Sequence, residues 1–192
     1  DIIKGLGNAN KFLTRLLYRA NAEFGVRIAK IDGGGLRNAI PREAFALVCV
    51  ADVEGFKNHL NEISTQIKAE YHALEPNLTV SYIPSSEATN ILPQEVQVKL
   101  LNSLYALPNG VFRMSPDVPG LVETSSNLAR VLAVGGKIEV LTLQRSSVES
   151  SKQDIANAIR AAFEAGGALV EHTGDYPGWE PKPDAPIIRV MA

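Results

Sequence analysis

The sequence predicts an α+β fold built from two ferredoxin-like repeats, antiparallel sheets with helices on one face. In four segments, apolar residues step by three and four, the signature of amphipathic helices. Between and after them run short apolar or alternating stretches that read as strands. The elements come in one order, helix, strand, strand, helix, strand, over residues 8–84 and again over 93–173. The repeat is one of structural grammar more than of residue identity.

In the first half, Asn8 is the N-cap of a helix whose inner face carries Phe12, Leu13, Leu16, Leu17, Ala20 and Phe24. Gly5–Lys11 lacks the Gly-Lys-Ser/Thr ending of a phosphate loop, so a helix start is the simpler account. Gly25 closes the helix and Val26–Ile31 alternates as a strand. After a glycine-rich loop, Ala44–Val50 is apolar on both sides and is predicted to be interior. Asp52 then caps a helix with Val53, Phe56, Leu60, Ile63, Ile67, Tyr71 and Leu74 inward, ended by Pro76. Leu78–Ile83 reads as the returning strand.

Ser85–Leu92 is polar and joins the halves. Pro93 opens a helix with Val96, Leu100, Leu104 and Leu107 on one face, and Pro108 stops it. Asn109-Gly110 starts a turn and Val111–Met114 reads as a short strand. From Leu121 a strand region runs to Val134, Gly135-Gly136 makes a two-residue hairpin, and Lys137–Gln144 returns as a second interior strand. Ser151 with Asp154 caps the last helix, Gly166-Gly167 ends it, and Ala168–Thr173 reads as the closing strand. The domain assignment is residues 1–175 for the two-repeat unit and 176–192 for a connector and the truncated start of a returning further domain.

Composition bounds the chemistry. The 192 residues are 45% hydrophobic and 21% charged, with a net charge of -2, which gives no electrostatic case for nucleic acid or an anionic membrane. The single cysteine, Cys49, lies in the most apolar strand and is expected to be buried. His59 falls off the apolar stripe of its helix and His72 sits in a last turn, so both read as surface residues. His172 has no acidic or histidine neighbour at metal-ligand spacing. With three scattered histidines, no metal centre and no nucleophile set is expected within the chain. The chain begins at Asp1 and stops in the apolar run Ile187–Ala192, which reads as a piece of a longer protein.

Two residues stand out as chemistry-bearing. Asn38 lies in Asp32-Gly-Gly-Gly-Leu-Arg-Asn38-Ala-Ile-Pro41, a loop stiffened by glycine and proline that leaves its amide free to donate and accept. A tight turn whose asparagine bonds only its own backbone is the plainer alternative. Arg145 ends the strand after the Gly135-Gly136 hairpin; taken alone, a solvated strand end is the favoured account of it.

Gly33-Gly34-x-x-x-Asn38-x-Ile40-Pro41 resembles the lid-domain signature of the di-zinc dipeptidase, aminoacylase and carboxypeptidase family. Gly5–Lys11, Pro108–Val111, Leu121–Asn127 and Tyr176-Pro-Gly-Trp179 are similar to segments of the aminoacyl-histidine dipeptidases (carnosinase-like), in the family order. The resemblance implies the lid of a cytoplasmic metallodipeptidase that hydrolyses Xaa-His dipeptides. Two zinc ions, their ligands and the catalytic residues would then belong to a catalytic domain of the same polypeptide, none of them to this segment. It also implies that Asn38 faces the scissile group and Arg145 grips the substrate carboxylate, a task suited to a bidentate guanidinium. Asn127, matched to Asn38 in the repeat alignment, is read as structural. The implied partners are the dipeptide substrate, the catalytic domain and a homodimer mate. The rival reading is a stand-alone regulatory or dimerisation module that binds a small ligand.

Overall fold

One long strand organises the sheet. The computed structural model describes residues 2–86, 90–179 and 181; positions 87–89 of the join, and residues 180 and 182–192 with the run Ile187–Ala192, lie outside the described residues. In chain order the elements are α1 (Ala9–Phe24), β1 (Arg27–Gly34), β2 (Ala44–Cys49), α2 (Val53–Tyr71), α3 (Gln94–Ala106), β3 (Gly110–Met114), β4 (Val122–Val134), β5 (Lys137–Ser146) and α4 (Glu149–Ala165). All pairings are antiparallel. On one side β4 pairs with β5 along its length; on the other, its first half pairs with β3 and its second half with β1. β2 lies beyond β1. The two halves therefore share one five-stranded sheet, joined through β4.

The local signals work as their chemistry dictates. Asn8 caps α1, its Oδ1 accepting from the Lys11 N–H at 3.2 Å, and Gly25 ends it at φ +59°. Asp52 caps α2 by accepting from the Gly55 N–H at 2.9 Å. Gly135 and Gly136 turn the hairpin at φ +59° and +81°. Leu16, Leu17, Ile28, Ile31, Ile63, Ile67, Leu101, Leu104, Leu128, Val131, Ile155 and Ile159 meet in one core. Leu128, Val131 and Ala133 of β4 point into it, so the alternate residues of β4 form an outer face.

Several expectations are corrected. Neither Ala44–Val50 nor Ile138–Leu143 is interior: among the described residues β2 and β5 are each paired on one side only, and most of their residues are half-exposed. Apolar character on both faces reports a strand that can be covered, whereas the number of pairing neighbours is set by topology. Cys49 is consequently exposed, standing on the edge strand opposite Arg27. Leu78–Ile83 and Ala168–Thr173 form no ladder with a described strand. Leu78, Val80 and Val170 still pack against the core, which accounts for their apolar pattern.

His59 is buried, 3% exposed, with its ring edge-on to Phe24 and Nδ1 3.3 Å from the Glu23 carboxylate, though not aligned for a hydrogen bond. The end of α1 covers the flank of α2 that periodicity assigned to solvent. α4 begins at Glu149 after Val148, whose N–H donates to Ser146 Oγ, so Ser151 and Asp154 lie inside the helix instead of capping it. Asn38 and Asn127 are not equivalent positions either: one is in a loop, the other in mid-strand.

Candidate functional site: the Asn38 loop and the outer face of the sheet

Residues 35–43 connect β1 to β2. The two glycines that introduce the connection are required by what lies against them. A Cβ at Gly33 would fall 1.9 Å from Asn10 Oδ1, and one at Gly34 the same distance from the Ala129 carbonyl oxygen, with φ at +73°. The loop thus leaves β1 pressed against β4. Its internal turn is closed by the Ala39 N–H donating to the Leu36 carbonyl at 3.1 Å. Asn38, at the tip, is exposed, and its carboxamide bonds to no described residue.

Distant groups hold the loop. The Ala9 N–H donates to the Pro41 carbonyl at 3.0 Å. Arg42 grips Glu75 bidentately, and Glu75 Oε1 also accepts from the Gly7 N–H at 3.0 Å. The guanidinium, helped by that backbone N–H, holds the Glu75 carboxyl below its usual range. Arg37 Nη1 donates to Thr173 Oγ1 at 3.2 Å.

Between β1 and β3 the ladder on β4 is interrupted, and asparagines fill the gap. Asn8 Nδ2 and Asn10 Nδ2 donate to the Leu128 carbonyl at 3.0 and 3.4 Å, while Asn109 Oδ1 accepts from the Leu128 N–H at 2.8 Å. Side-chain amides here take the place of a neighbouring strand's peptide groups. Asn8 Nδ2 also lies 3.1 Å from Asn109 Oδ1 and 3.2 Å from Asn127 Oδ1. Asn127 Nδ2 in turn donates to the carbonyls of Arg37, at 3.3 Å, and Ala39, at 2.7 Å. Lys11 donates to the carbonyls of Leu104, Tyr105 and Leu107, closing the end of α3 just before Asn109. Each asparagine reads locally as a cap, a turn or a strand residue. No local signal joins them.

Arg145 lies within β5, one residue before its end, opposite Ser125. It is exposed and makes no ion pair among the described residues. Asn127 is opposite Leu143, so Arg145 stands on the same outer face, one diagonal step away, about 7–8 Å between backbones. The structure therefore brings Arg145 and the Asn38 loop to one face. Arg37 and Arg145 also line a cavity of about 990 Å³ that runs between β5, α4 and residues 168–176. Beside it, Lys152 Nζ bonds the Tyr176 carbonyl at 2.6 Å and Asp175 at 2.7 Å, anchoring the Tyr176-Pro-Gly stretch next to the end of β5. A Cβ at Gly178 would come within 2.6 Å of the Ser146 carbonyl oxygen.

No three His, Cys, Asp or Glu side chains converge as metal ligands among the described residues. His59 is packed on Phe24, His72 lies 2.9 Å from the Ala69 carbonyl, and His172 accepts from Arg160 Nε at 3.2 Å. These residues do not fit a zinc site.

Comparison with known proteins places the chain among the peptidases. Residues 3–75 match the peptidase dimerisation domain. The whole chain is 36% identical to part of the cytosol non-specific dipeptidase of Escherichia coli (strain K12), spanning 40% of that protein's length. The crystal structure of an aminoacylhistidine dipeptidase from Vibrio alginolyticus superposes on 96% of this chain with a TM-score of 0.90 and 34% identity, over 38% of its own length. Sequence and fold are matched end to end to one portion of these dipeptidases, so the chain is homologous to that portion, with the match to the peptidase dimerisation domain at residues 3–75.

Proposed function

We propose that the chain, residues 1–175 above all, is the lid of a cytoplasmic di-zinc dipeptidase acting on Xaa-His dipeptides. The observation that supports this is the outer face of the sheet: an exposed guanidinium at Arg145, without an ion-pair partner among the described residues, one diagonal step from the strand residue beneath the Asn38 loop. A planar cation free of carboxylate partners is suited to a substrate carboxylate, and the pairing strengthens once closure excludes water. The unbonded Asn38 carboxamide is available to a reacting carbonyl nearby. Zinc and the catalytic groups would come from a catalytic domain of the same polypeptide, since the residues described here offer no ligand set. What this chain supplies is orientation, charge pairing and exclusion of water.

The test is kinetic, in the full-length enzyme. Arg145→Ala is expected to cost about 2–5 kcal/mol of transition-state stabilisation for free-acid dipeptides. Arg145→Lys recovers part of it, because an ammonium cannot reproduce the fork. A substrate amidated at its C-terminus is expected to distinguish wild type from Arg145→Ala least. Full activity and full free-acid preference in Arg145→Ala would assign the carboxylate to another residue. A panel of Xaa-His and Xaa-Xaa dipeptides tests the specificity; equal turnover of both classes would replace Xaa-His by the broader range named for the Escherichia coli relative.

Among the described residues β2 has an open edge, and Phe45, 62% exposed, and Cys49 are both exposed on that strand, which favours a second role in homodimerisation. Sedimentation of the full-length protein decides it: a monomeric wild type, or a dimer unchanged by Phe45→Lys, excludes this edge as the interface.

A further inference from the structure

We propose that Asn127 is a positioning residue: its carboxamide, oriented by Asn8, fixes where Asn38 is presented. This rests on the reading of Asn38 as a substrate contact. Both donors of Asn127 Nδ2 go to the carbonyls of the residues on either side of Asn38, at 3.3 Å to Arg37 and 2.7 Å to Ala39. Between these carbonyls, the tip has only the Ala39–Leu36 turn bond of its own. Residues 35–39 are all exposed, so little packing restrains them. A loop with so little burial holds a fixed geometry only if its peptide groups are bonded to something rigid.

Asn127 is rigid. It is 6% exposed and stands in β4, which is paired on the far side along its whole length. Its Oδ1 accepts from Asn8 Nδ2, and this sets which end of the amide faces the loop. Asn8 is itself 3% exposed and held by Asn109 and the Leu128 carbonyl. The strand's own missing ladder bonds at Leu128 are supplied by Asn8, Asn10 and Asn109, not by Asn127. The Nδ2 bonds of Asn127 therefore restrain the loop alone. Only an amide combines two forked donors with an acceptor at this size; an aspartate of the same shape would turn oxygens toward two carbonyls.

The experiment uses the full-length enzyme with Asn127→Asp, read by hydrogen exchange over residues 35–41 and by steady-state kinetics. Exchange in the loop is expected to rise, and kcat to fall about tenfold, as for two lost neutral hydrogen bonds. KM and the preference for a free-acid over an amidated substrate are expected to stay unchanged, since Arg145 is untouched. In an Asn38→Ala background the same change is expected to lower kcat no further. If the aspartate variant does not fold, Asn127→Ala, which adds no charge, takes its place. Unchanged loop exchange with unchanged kcat overturns the proposal. So does a kcat loss equally large in the Asn38→Ala background, because Asn127 would then act on the fold at large. Should Asn38→Ala itself leave kcat intact, the substrate-contact reading fails, while loop exchange still decides whether Asn127 holds the loop.

Discussion

Two of the connections in the sheet that join consecutive paired strands, β1 to β2 and β4 to β5, are built on opposite principles. Gly135 and Gly136 turn β4 into β5 with two residues at positive φ, and a Cβ on either would meet nothing within 4 Å. That hairpin needs only its own backbone. The β1–β2 connection runs through residues 35–43 and is held by Ala9, Asn127 and the Glu75–Arg42 pair, groups from three other parts of the chain. A tight turn is a local solution to reversing the chain. A loop that presents a side chain to a ligand gives up local closure and takes its geometry from a scaffold.

The comparison can be broken most severely at the glycines. Gly34→Ala is expected to destabilise the fold by about 3 kcal/mol or more, because the new methyl would collide with the Ala129 carbonyl at a left-handed φ. The check is the urea midpoint and slope of the variant against wild type; a loss below about 1 kcal/mol would mean that β1 and β4 can separate at little cost.

A smaller effect is expected on the far side of the loop. The Glu75 carboxyl is held down by Arg42 first and the Gly7 N–H second. A carboxyl lowered in the folded state stabilises the protein above its unfolded value, near 4.5, and loses that contribution as pH falls through the folded value. Arg42 is 60% exposed, so solvent screens the pair and the contribution is about 1 kcal/mol at most. Thermal midpoints measured from pH 6 to pH 3 are expected to fall less steeply in Glu75→Gln than in wild type. Identical slopes would remove Glu75 from the supports of the loop.

The smallest effect sharpens the contrast. Gly136→Asn, in open space at φ +81°, is expected to change stability by about 0.5 kcal/mol or less, since asparagine tolerates this region and nothing is crowded. A loss comparable with that of Gly34→Ala would show that both connections depend equally on glycine and would dissolve the distinction.

What the sequence by itself determined is what rests on nearest neighbours. Asn8 and Asp52 as caps, Gly25 as a helix end and Gly135-Gly136 as a hairpin all act through bonds or dihedrals within a few residues. The spacing around Asn38 was legible for the same reason, as a motif of fixed length. Tertiary structure alone decided which strands are edges, that one sheet serves both halves, and that His59 is buried beneath the end of α1. It alone drew Asn8, Asn109 and Asn127 together from separations of 101 and 119 residues. Periodicity reports that a face is apolar or that a residue can cap, but pairing and burial depend on which surface arrives opposite, and that is settled by the packing of the whole chain.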